Sequence, residues 1–173
     1  MKKLLVLFLM LLFLPFGIAA KMFSGDENIL KHYKVDSPDE IISKTSVTID
    51  KVEHTDGNAS LKIDATNPIV IKLYETGNIN IENAKIVYQA KLKTNNFKGM
   101  AYLEMWCHFK DKGSFFSRDL ATPITSDTDW ITEETPFFLK KGENPDNISL
   151  NLVINGTGTV WIDDVKLLKK PLK

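Results

Sequence analysis

The chain has a single cysteine among its 173 residues, Cys107, so no internal disulfide can form. Its three histidines, His32, His54 and His108, lie far apart, and no Cys/His pair has the spacing of a zinc site. A Gly-x-Ser-x-Gly nucleophile motif is also absent. These absences exclude a disulfide scaffold and argue against a transition-metal site and against nucleophilic catalysis. We therefore expect a protein that is not an enzyme and that is stabilised mainly by its hydrophobic core.

The chain also lacks an excess of either charge. It carries 22 basic and 22 acidic residues, a formal net charge of zero. Removal of residues 1–20 would take Lys2 and Lys3 away and leave 20 basic against 22 acidic residues, a net charge of 20 − 22 = −2. This balance gives no electrostatic reason to expect nucleic acid or an anionic membrane surface as a partner.

The N-terminus has the layout of a secretory signal peptide. Met1-Lys2-Lys3 is basic, residues 4–16 form an apolar run, and Ala19 and Ala20 are small residues that suit cleavage. The apolar run is shorter than the roughly 20 residues that a membrane-spanning helix needs. We therefore predict that residues 1–20 are cleaved, that no stable membrane span is left, and that the protein is secreted or periplasmic. An uncleaved membrane anchor is the alternative.

The remaining chain divides into a lead-in segment and a strand-rich domain. Within the lead-in, residues 21–44, Ser37-Pro38-Asp39-Glu40 combines a capping serine, a first-turn proline and an acid three positions after the cap, which predicts one short helical turn. In residues 45–169, eight or nine short runs of alternating apolar residues are separated by turn signals. This pattern predicts an all-β domain, a two-sheet antiparallel β-sandwich of the jelly-roll type.

One stretch, residues 99–110, has two different faces when it is read with the period of a strand. The apolar face consists of Ala101, Leu103, Met105, Cys107 and Phe109. The other face consists of Tyr102, Glu104, Trp106, His108 and Lys110. Because Cys107 lies on the apolar face, we expect a buried hydrophobe rather than a nucleophile. An ordinary solvent-facing strand carries Lys, Thr and Glu, so the aromatic and polar face predicts a binding surface.

Four segments resemble jelly-roll carbohydrate-binding modules, which have a galactose-binding-like β-sandwich and attach to cellulose, xylan and related glycans. They are residues 56–63 (DGNASLKI), 88–94 (YQAKLKT), 129–130 (DW) and 158–167 (GTVWIDDVKL). The resemblance implies the sandwich fold, a glycan or polysaccharide as the partner, and a ligand that lies across one sheet face or at loop tips.

The candidate carbohydrate site consists of Tyr102, Glu104, Trp106, His108 and Gln89. The two aromatic rings lie about 13 Å apart along the strand and suit stacking against sugar rings, while the carboxylate and imidazole suit hydrogen bonds to hydroxyl groups. Gln89 is on the non-core face of the preceding strand, and Asn151 joins the site if its strand belongs to the same sheet. The alternative is that a loop or the N-terminal segment covers this face and makes it a second small core.

Asp163 and Asp164 interrupt the last apolar strand, and adjacent carboxylates beside core residues need hydrogen bonds or a metal ion. The resembled modules often hold a structural calcium ion through an acid in this strand and oxygens from near the first strand. The resemblance therefore implies a calcium site at Asp163 and Asp164, with further oxygens from Asp50, Glu53 or Asp56. The alternative is that one Asp caps a turn through backbone N–H groups while the other is solvated.

The sequence thus predicts an exported, non-catalytic jelly-roll domain that binds carbohydrate on one sheet face. A structural or protein-interaction module of the cell envelope, with no sugar ligand, is the alternative, because the same sandwich serves both roles. A third hypothesis is a glycan-processing enzyme, which needs two carboxyl groups across the scissile bond. Glu104 would be one of them, with Asp119, Glu133 or Glu134 as the other, but nothing in the sequence places any of these opposite Glu104.

Overall fold

The structure, a computed structural model, describes residues 28–172, so the predicted signal peptide lies outside the described residues. The eight strands are β1 (Asn28–Tyr33), β2 (Thr48–Asp50), β3 (Ser60–Ala65), β4 (Ile69–Gly77), β5 (Ala84–Phe109), β6 (Gly113–Arg118), β7 (Thr128–Leu139) and β8 (Asn147–Lys170). The predicted helical turn is confirmed as a 3-10 turn, Pro38–Glu40, in which Ser37 Oγ accepts from the Asp39 N–H at 3.2 Å. Within residues 28–172, no helix is long and apolar enough to span a membrane.

All eight strands belong to one antiparallel sheet, and the two longest strands, β5 and β8, run through both halves of it. The first half contains β7, the N-terminal part of β5, the C-terminal part of β8, and then β1, β3 and β2. The second half contains β6, the C-terminal part of β5, the N-terminal part of β8, and β4. Residues from both halves share one hydrophobic core, so the sheet is folded over into a β-sandwich. The predicted all-β sandwich is confirmed.

The sheet folds over where the ladder between β5 and β8 shifts, between Asn95 and Lys98. Gly99 and Gly158 have φ values of +134° and +128° at this corner, and Gly156 lies directly against the backbone of Lys98. Only glycine lets the two backbones approach so closely, because a Cβ at these positions would overlap the opposite strand. The sequence pattern predicts separate strands joined by turns here. The structure continues each strand through the corner instead, because the glycines form a bulge.

Replacing Gly156 with alanine is expected to destabilise the domain by about 2–3 kcal/mol, because the added methyl group overlaps the Lys98 carbonyl group across the ladder. The melting temperature followed by circular dichroism should fall by roughly 4–12 °C. Gly113→Ala is the control, since Gly113 has a φ of +86° and nothing within 4 Å of an added Cβ. The control should lose only about 1 kcal/mol. A melting temperature for Gly156→Ala that is no lower than that of the control would contradict this description of the corner.

The burial of alternate side chains confirms the predicted orientation of residues 99–110. Ala101, Leu103, Met105 and Cys107 are fully buried, as predicted for the apolar face. Burial raises the pKa of the Cys107 thiol to about 12, so the thiol is protonated and unreactive at neutral pH. The opposite face of the same stretch points out of the sandwich.

Candidate functional site

A depression of about 520 Å³ lies on the outward face of the second half of the sandwich. We call it the central depression. Its lining consists mainly of polar side chains around one tryptophan: Val70, Lys72, Glu75, Glu104, Trp106, His108, Ser114, Ser149 and Asn151. The strand register assembles these side chains, because residues directly opposite each other on neighbouring strands lie on the same face. Glu104 on β5, for example, is opposite Asn151 on β8 and Arg118 on β6.

Glu104 is a buried carboxylate in this depression, with 5 % of its surface exposed. Its Oε1 accepts from Trp106 Nε1 at 2.8 Å and from Asn151 Nδ2 at 2.9 Å, and its Oε2 accepts from Arg118 Nε at 2.5 Å. Burial by itself raises the pKa of Glu104, but the hydrogen bonds from Asn151, Trp106 and Arg118 outweigh burial and hold the pKa below its usual range. Glu104 is therefore ionised, and both of its oxygens are engaged.

Replacing Glu104 with glutamine is expected to cost about 2 kcal/mol of stability at neutral pH, because charge-assisted hydrogen bonds are lost. The folded-state pKa lies below the unfolded one. The contribution of the charge is therefore complete above the unfolded pKa and is lost as the pH falls through the folded pKa. The stability difference between wild type and Glu104→Gln should be constant above about pH 5.5 and should shrink below about pH 4. Urea unfolding of both proteins across this pH range measures the stability difference. A difference that grows on acidification would contradict the lowered pKa of Glu104.

His108 connects β5 to β6 and β8 through its own hydrogen bonds, and Ser149 extends this network to β4. Its Nδ1 lies 2.8 Å from Ser114 Oγ on β6, and its Nε2 lies 3.0 Å from Ser149 Oγ on β8. Because the Ser149 hydroxyl donates to Glu75 Oε1 on β4 at 3.2 Å, it accepts from the Nε2–H of His108. In the neutral ring, Nδ1 then accepts from the Ser114 hydroxyl. The His108 imidazole thus holds the two serine hydroxyl groups in fixed positions, and their remaining lone pairs suit hydrogen bonds to a hydroxylated ligand.

Trp106 is the aromatic ring of the central depression, and it is half-buried. Its Nε1–H is held by Glu104, its ring is stacked with that of His108 at a centroid distance of 6.4 Å, and the Phe116 ring lies 5.0 Å away. These contacts restrict the side chain to one orientation. The indole therefore offers an apolar surface that is already in position for a ligand.

The structure brings three of the predicted residues together, Glu104, Trp106 and His108. Asn151 joins them, since its part of β8 pairs with their part of β5. Tyr102 lies on the same face of the strand but is only 7 % exposed and is not part of the lining of the depression. The face is therefore open around Trp106 and closed at Tyr102.

Gln89 lies in the other half of the sandwich, where its Nε2 donates to Glu134 Oε1 at 2.5 Å on β7. We therefore leave Gln89 out of the candidate site. Arg118, Glu75 and Ser149 are functional candidates that sequence reasoning missed. Arg118 could have been singled out from the sequence, because it is the only arginine in the chain. Glu75 and Ser149 could not have been found in this way, because strand register decides whether they reach the depression.

Asp163 is fully buried in β8, and hydrogen bonds engage both of its carboxylate oxygens. Its Oδ2 accepts from the Thr55 N–H at 2.6 Å, from Thr55 Oγ1 at 3.1 Å and from the Asp56 N–H at 2.9 Å, and its Oδ1 accepts from the Asp164 N–H at 2.7 Å. The carboxylate thus holds the loop after β2 against β8. For Asp163 this geometry matches the turn-capping alternative, and it engages the oxygens that a metal ion would need. The same alternative has the second Asp solvated, whereas the Asp164 side chain is only 13% exposed and pairs with His32 and Lys166.

Asp164 belongs to a separate group with His32 and Asp56, whose ligand atoms lie within 4.8 Å of one another and are able to hold a metal ion. His32 Nε2 lies 2.8 Å from Asp164 Oδ1 and 3.0 Å from Asp56 Oδ2, and Lys166 Nζ lies 2.7 Å from Asp164 Oδ2. Calcium prefers about six to eight oxygen ligands. This group offers an imidazole nitrogen and two carboxylates, one of them beside an ammonium group. The donor set therefore does not fit the calcium ion that the resemblance implies.

Comparison with known proteins supports the fold. No protein-family model matches the sequence, and no curated protein sequence matches it. The CBM22-1 xylan-binding domain of Xyn10C from Paenibacillus barcinonensis superimposes with a TM-score of 0.57 and 12% identity, covering 85% of this chain and 97% of that chain. A family 16 carbohydrate-binding module superimposes with a TM-score of 0.55 and 14% identity, covering 76% of this chain and 95% of that one. The chain therefore has the jelly-roll fold of carbohydrate-binding modules.

Enzymes with this fold also exist. The Stig cyclase Fisc from Fischerella sp. TAU, solved in complex with an indole compound, superimposes with a TM-score of 0.53 and 12% identity and covers 89% of this chain and 93% of that chain. At such low identity the likeness concerns the fold, and the function has to be argued from the site.

Proposed function

We propose that this protein is a non-catalytic carbohydrate-binding domain that holds a polysaccharide chain in the central depression. The observation that carries the proposal is the position of Trp106, a partly exposed ring fixed beside the buried Glu104 carboxylate and surrounded by hydrogen-bonding side chains. The apolar face of a sugar ring stacks on such an indole, while the sugar hydroxyl groups exchange hydrogen bonds with the surrounding amide and hydroxyl groups.

The charges of the depression favour a neutral glycan. Glu104 is neutralised by Arg118, and the lining contains one further acid, Glu75, and one further base, Lys72. A strongly anionic or cationic polysaccharide would therefore meet no excess of opposite charge. The carbohydrate-binding modules that share the fold include a xylan-binding domain. Together these observations support xylan and related neutral β-1,4-linked glycans as the ligand class.

The chemistry of the carboxylates supports a binding role rather than hydrolysis. A glycosidase needs one carboxyl group that stays protonated to act as the general acid. Glu104 has a lowered pKa, and donors engage both of its oxygens. Glu133 has a pKa raised by burial and by the nearby charge of Asp119, but it lies on β7, outside the lining of the central depression. We therefore expect no cleavage of a bound glycan.

Affinity gel electrophoresis tests the proposal directly. The purified protein should migrate more slowly in gels that contain xylan or a soluble β-glucan than in gels without polysaccharide. Incubation with the same polysaccharides should release no new reducing ends. A folded protein that is not retarded by any neutral polysaccharide would contradict the proposal and favour the protein-interaction module. Release of reducing ends would favour an enzyme.

We further propose that the protein is exported and acts outside the cytoplasm, in the periplasm or the extracellular space. The support is the order of basic, apolar and small residues in residues 1–20. Expressed in its source cell, the mature protein should begin at Ala20 or Lys21 when its N-terminus is sequenced. A cytoplasmic protein that still begins at Met1 would contradict export.

A further inference from the structure

A second depression lies at the edge of the sandwich, next to the central depression. It opens where β6 and β7 approach each other, and its volume is about 720 Å³. Both strands are sheet edges in the described part of the chain, since each pairs only with β5. The Ser117 hydroxyl joins them through Thr135 Oγ1 at 2.8 Å and the Pro136 carbonyl oxygen at 2.5 Å. We call this depression the edge groove. Its lining consists of Phe116, Ser117, Arg118, Asp119, Pro136, Phe137 and Phe138.

The edge groove lies next to the central depression, with Phe116 and Arg118 between them. The Phe116 ring, which lines the groove, lies 5.0 Å from the Trp106 ring, which lines the depression. The Arg118 guanidinium lies 4.3 Å from the centre of the Phe116 ring and donates its Nε–H to Glu104. The central depression and the edge groove are therefore neighbours, and a path from Trp106 to Phe138 crosses Phe116 at the edge of the sandwich.

The side chains of the edge groove are unusually apolar for an exposed position. Phe116 and Phe138 are 51% and 56% exposed, so two large aromatic rings face water. The polar side chains of Ser117, Arg118 and Asp119 also line the groove. Among residues 28–172, the one hydrogen bond that Arg118 donates from its guanidinium comes from Nε and leads to Glu104, so its terminal amino groups remain for a ligand. The edge groove thus combines exposed aromatic rings with the N–H donors of Arg118.

We infer that the edge groove is a second subsite for the same polysaccharide, so that a chain bound on Trp106 continues over Phe116 onto Phe138. This inference rests on the proposed function. Neighbouring strands lie about 4.8 Å apart, so a chain that crosses β4, β8, β5 and β6 travels about 14 Å. A longer chain that continues in this direction leaves the sheet at β6 and enters the edge groove. The ligand is therefore an unbranched glycan that is longer than the central depression alone accommodates.

A chain-length series tests the inference. Xylo-oligosaccharides and cello-oligosaccharides of two to six sugars are titrated into the full protein by calorimetry. The affinity of the wild type should rise with length over the whole series. Phe138→Ala should lower the affinity for the longest oligosaccharide about tenfold and leave the shortest binder unchanged. Phe138→Tyr, which keeps an aromatic ring, should retain the affinity of the wild type at every length.

Phe115→Ala is the matched control, because Phe115 is 50% exposed but lies opposite Cys107, on the other face of β6. It should bind every oligosaccharide like the wild type. If the affinity of Phe138→Ala rises with oligosaccharide length as much as that of the wild type, the second subsite is wrong. The proposed function is still supported in that case if Trp106→Ala loses all binding. No binding of either series overturns both. If sedimentation shows a dimer that Phe138→Ala dissociates, with unchanged sugar affinities, the groove holds a second copy and the inference is overturned.

Discussion

Replacing Trp106 with alanine is expected to lower the affinity for polysaccharide at least 100-fold and to leave the domain folded. The substitution removes the apolar surface on which a sugar ring stacks, and it also removes the indole N–H that Glu104 accepts at 2.8 Å. Central aromatic residues of binding sites commonly contribute ~2–4 kcal/mol, and 100-fold corresponds to about 2.7 kcal/mol. Trp106 is half-buried on the outward face rather than in the core, so its loss should not unfold the sandwich.

Two measurements on the same samples separate binding from folding. Retardation in polysaccharide gels reports binding, and the far-UV circular dichroism spectrum reports folding. Trp130→Ala is the control, because Trp130 is also half-buried but lies on β7, outside the lining of the central depression. It should be retarded like the wild type. A Trp106→Ala protein that is unfolded would show that the face is core. A folded Trp106→Ala protein with unchanged retardation would place the ligand elsewhere.

Replacing Asp163 with alanine is expected to have the largest effect on stability, about 3–5 kcal/mol. Its buried carboxylate accepts four hydrogen bonds, three of them from the backbone N–H groups of Thr55, Asp56 and Asp164. Hydrogen bonds to a charged group are worth ~1.5–3 kcal/mol each, although water replaces some of them in the loop. The melting temperature should fall by roughly 6–20 °C.

Thermal unfolding of Asp163→Ala, with and without calcium, measures this effect. Asp64→Ala is the control, because the Asp64 side chain is 62% exposed and should change stability by less than ~1 kcal/mol. Calcium and chelator should leave the melting temperature of the wild type unchanged. A rise of several degrees with calcium, lost in Asp163→Ala, would contradict the assignment of Asp163 as a loop-holding acceptor and would support the calcium site.

The fold is predictable from the sequence because strand side chains alternate. That rule assigns Leu103 and Met105 to the core face and Glu104 and Trp106 to the outward face without any knowledge of neighbouring strands. The same reasoning wrongly ends a strand before Gly99, where the structure continues β5. A glycine with a positive φ is found both in turns and in β-bulges, so the residue type does not distinguish the two. The pairing partner across the ladder decides between them, and a sequence pattern does not contain that information.

The site is predictable only along its own strand. Trp106 and His108 follow from the period, whereas Ser149 and Glu75 reach the depression through the register of β8 and β4. A shift of one residue in either strand would turn these side chains into the core. The burial of Tyr102 depends likewise on what packs over it, which no local pattern records.

The most direct test of the central claim is a nuclear magnetic resonance titration that follows the indole N–H signals. The chain has three tryptophans and hence three such signals, with Trp106 assigned by its loss in Trp106→Phe. On addition of xylohexaose or cellohexaose, the Trp106 signal should shift and saturate. The Trp130 signal should stay in place, as should that of Trp161, whose Nε1–H donates to Asp50 on the other half of the sandwich. A stationary Trp106 signal at saturating sugar, or a shift confined to Trp130 or Trp161, would contradict the account.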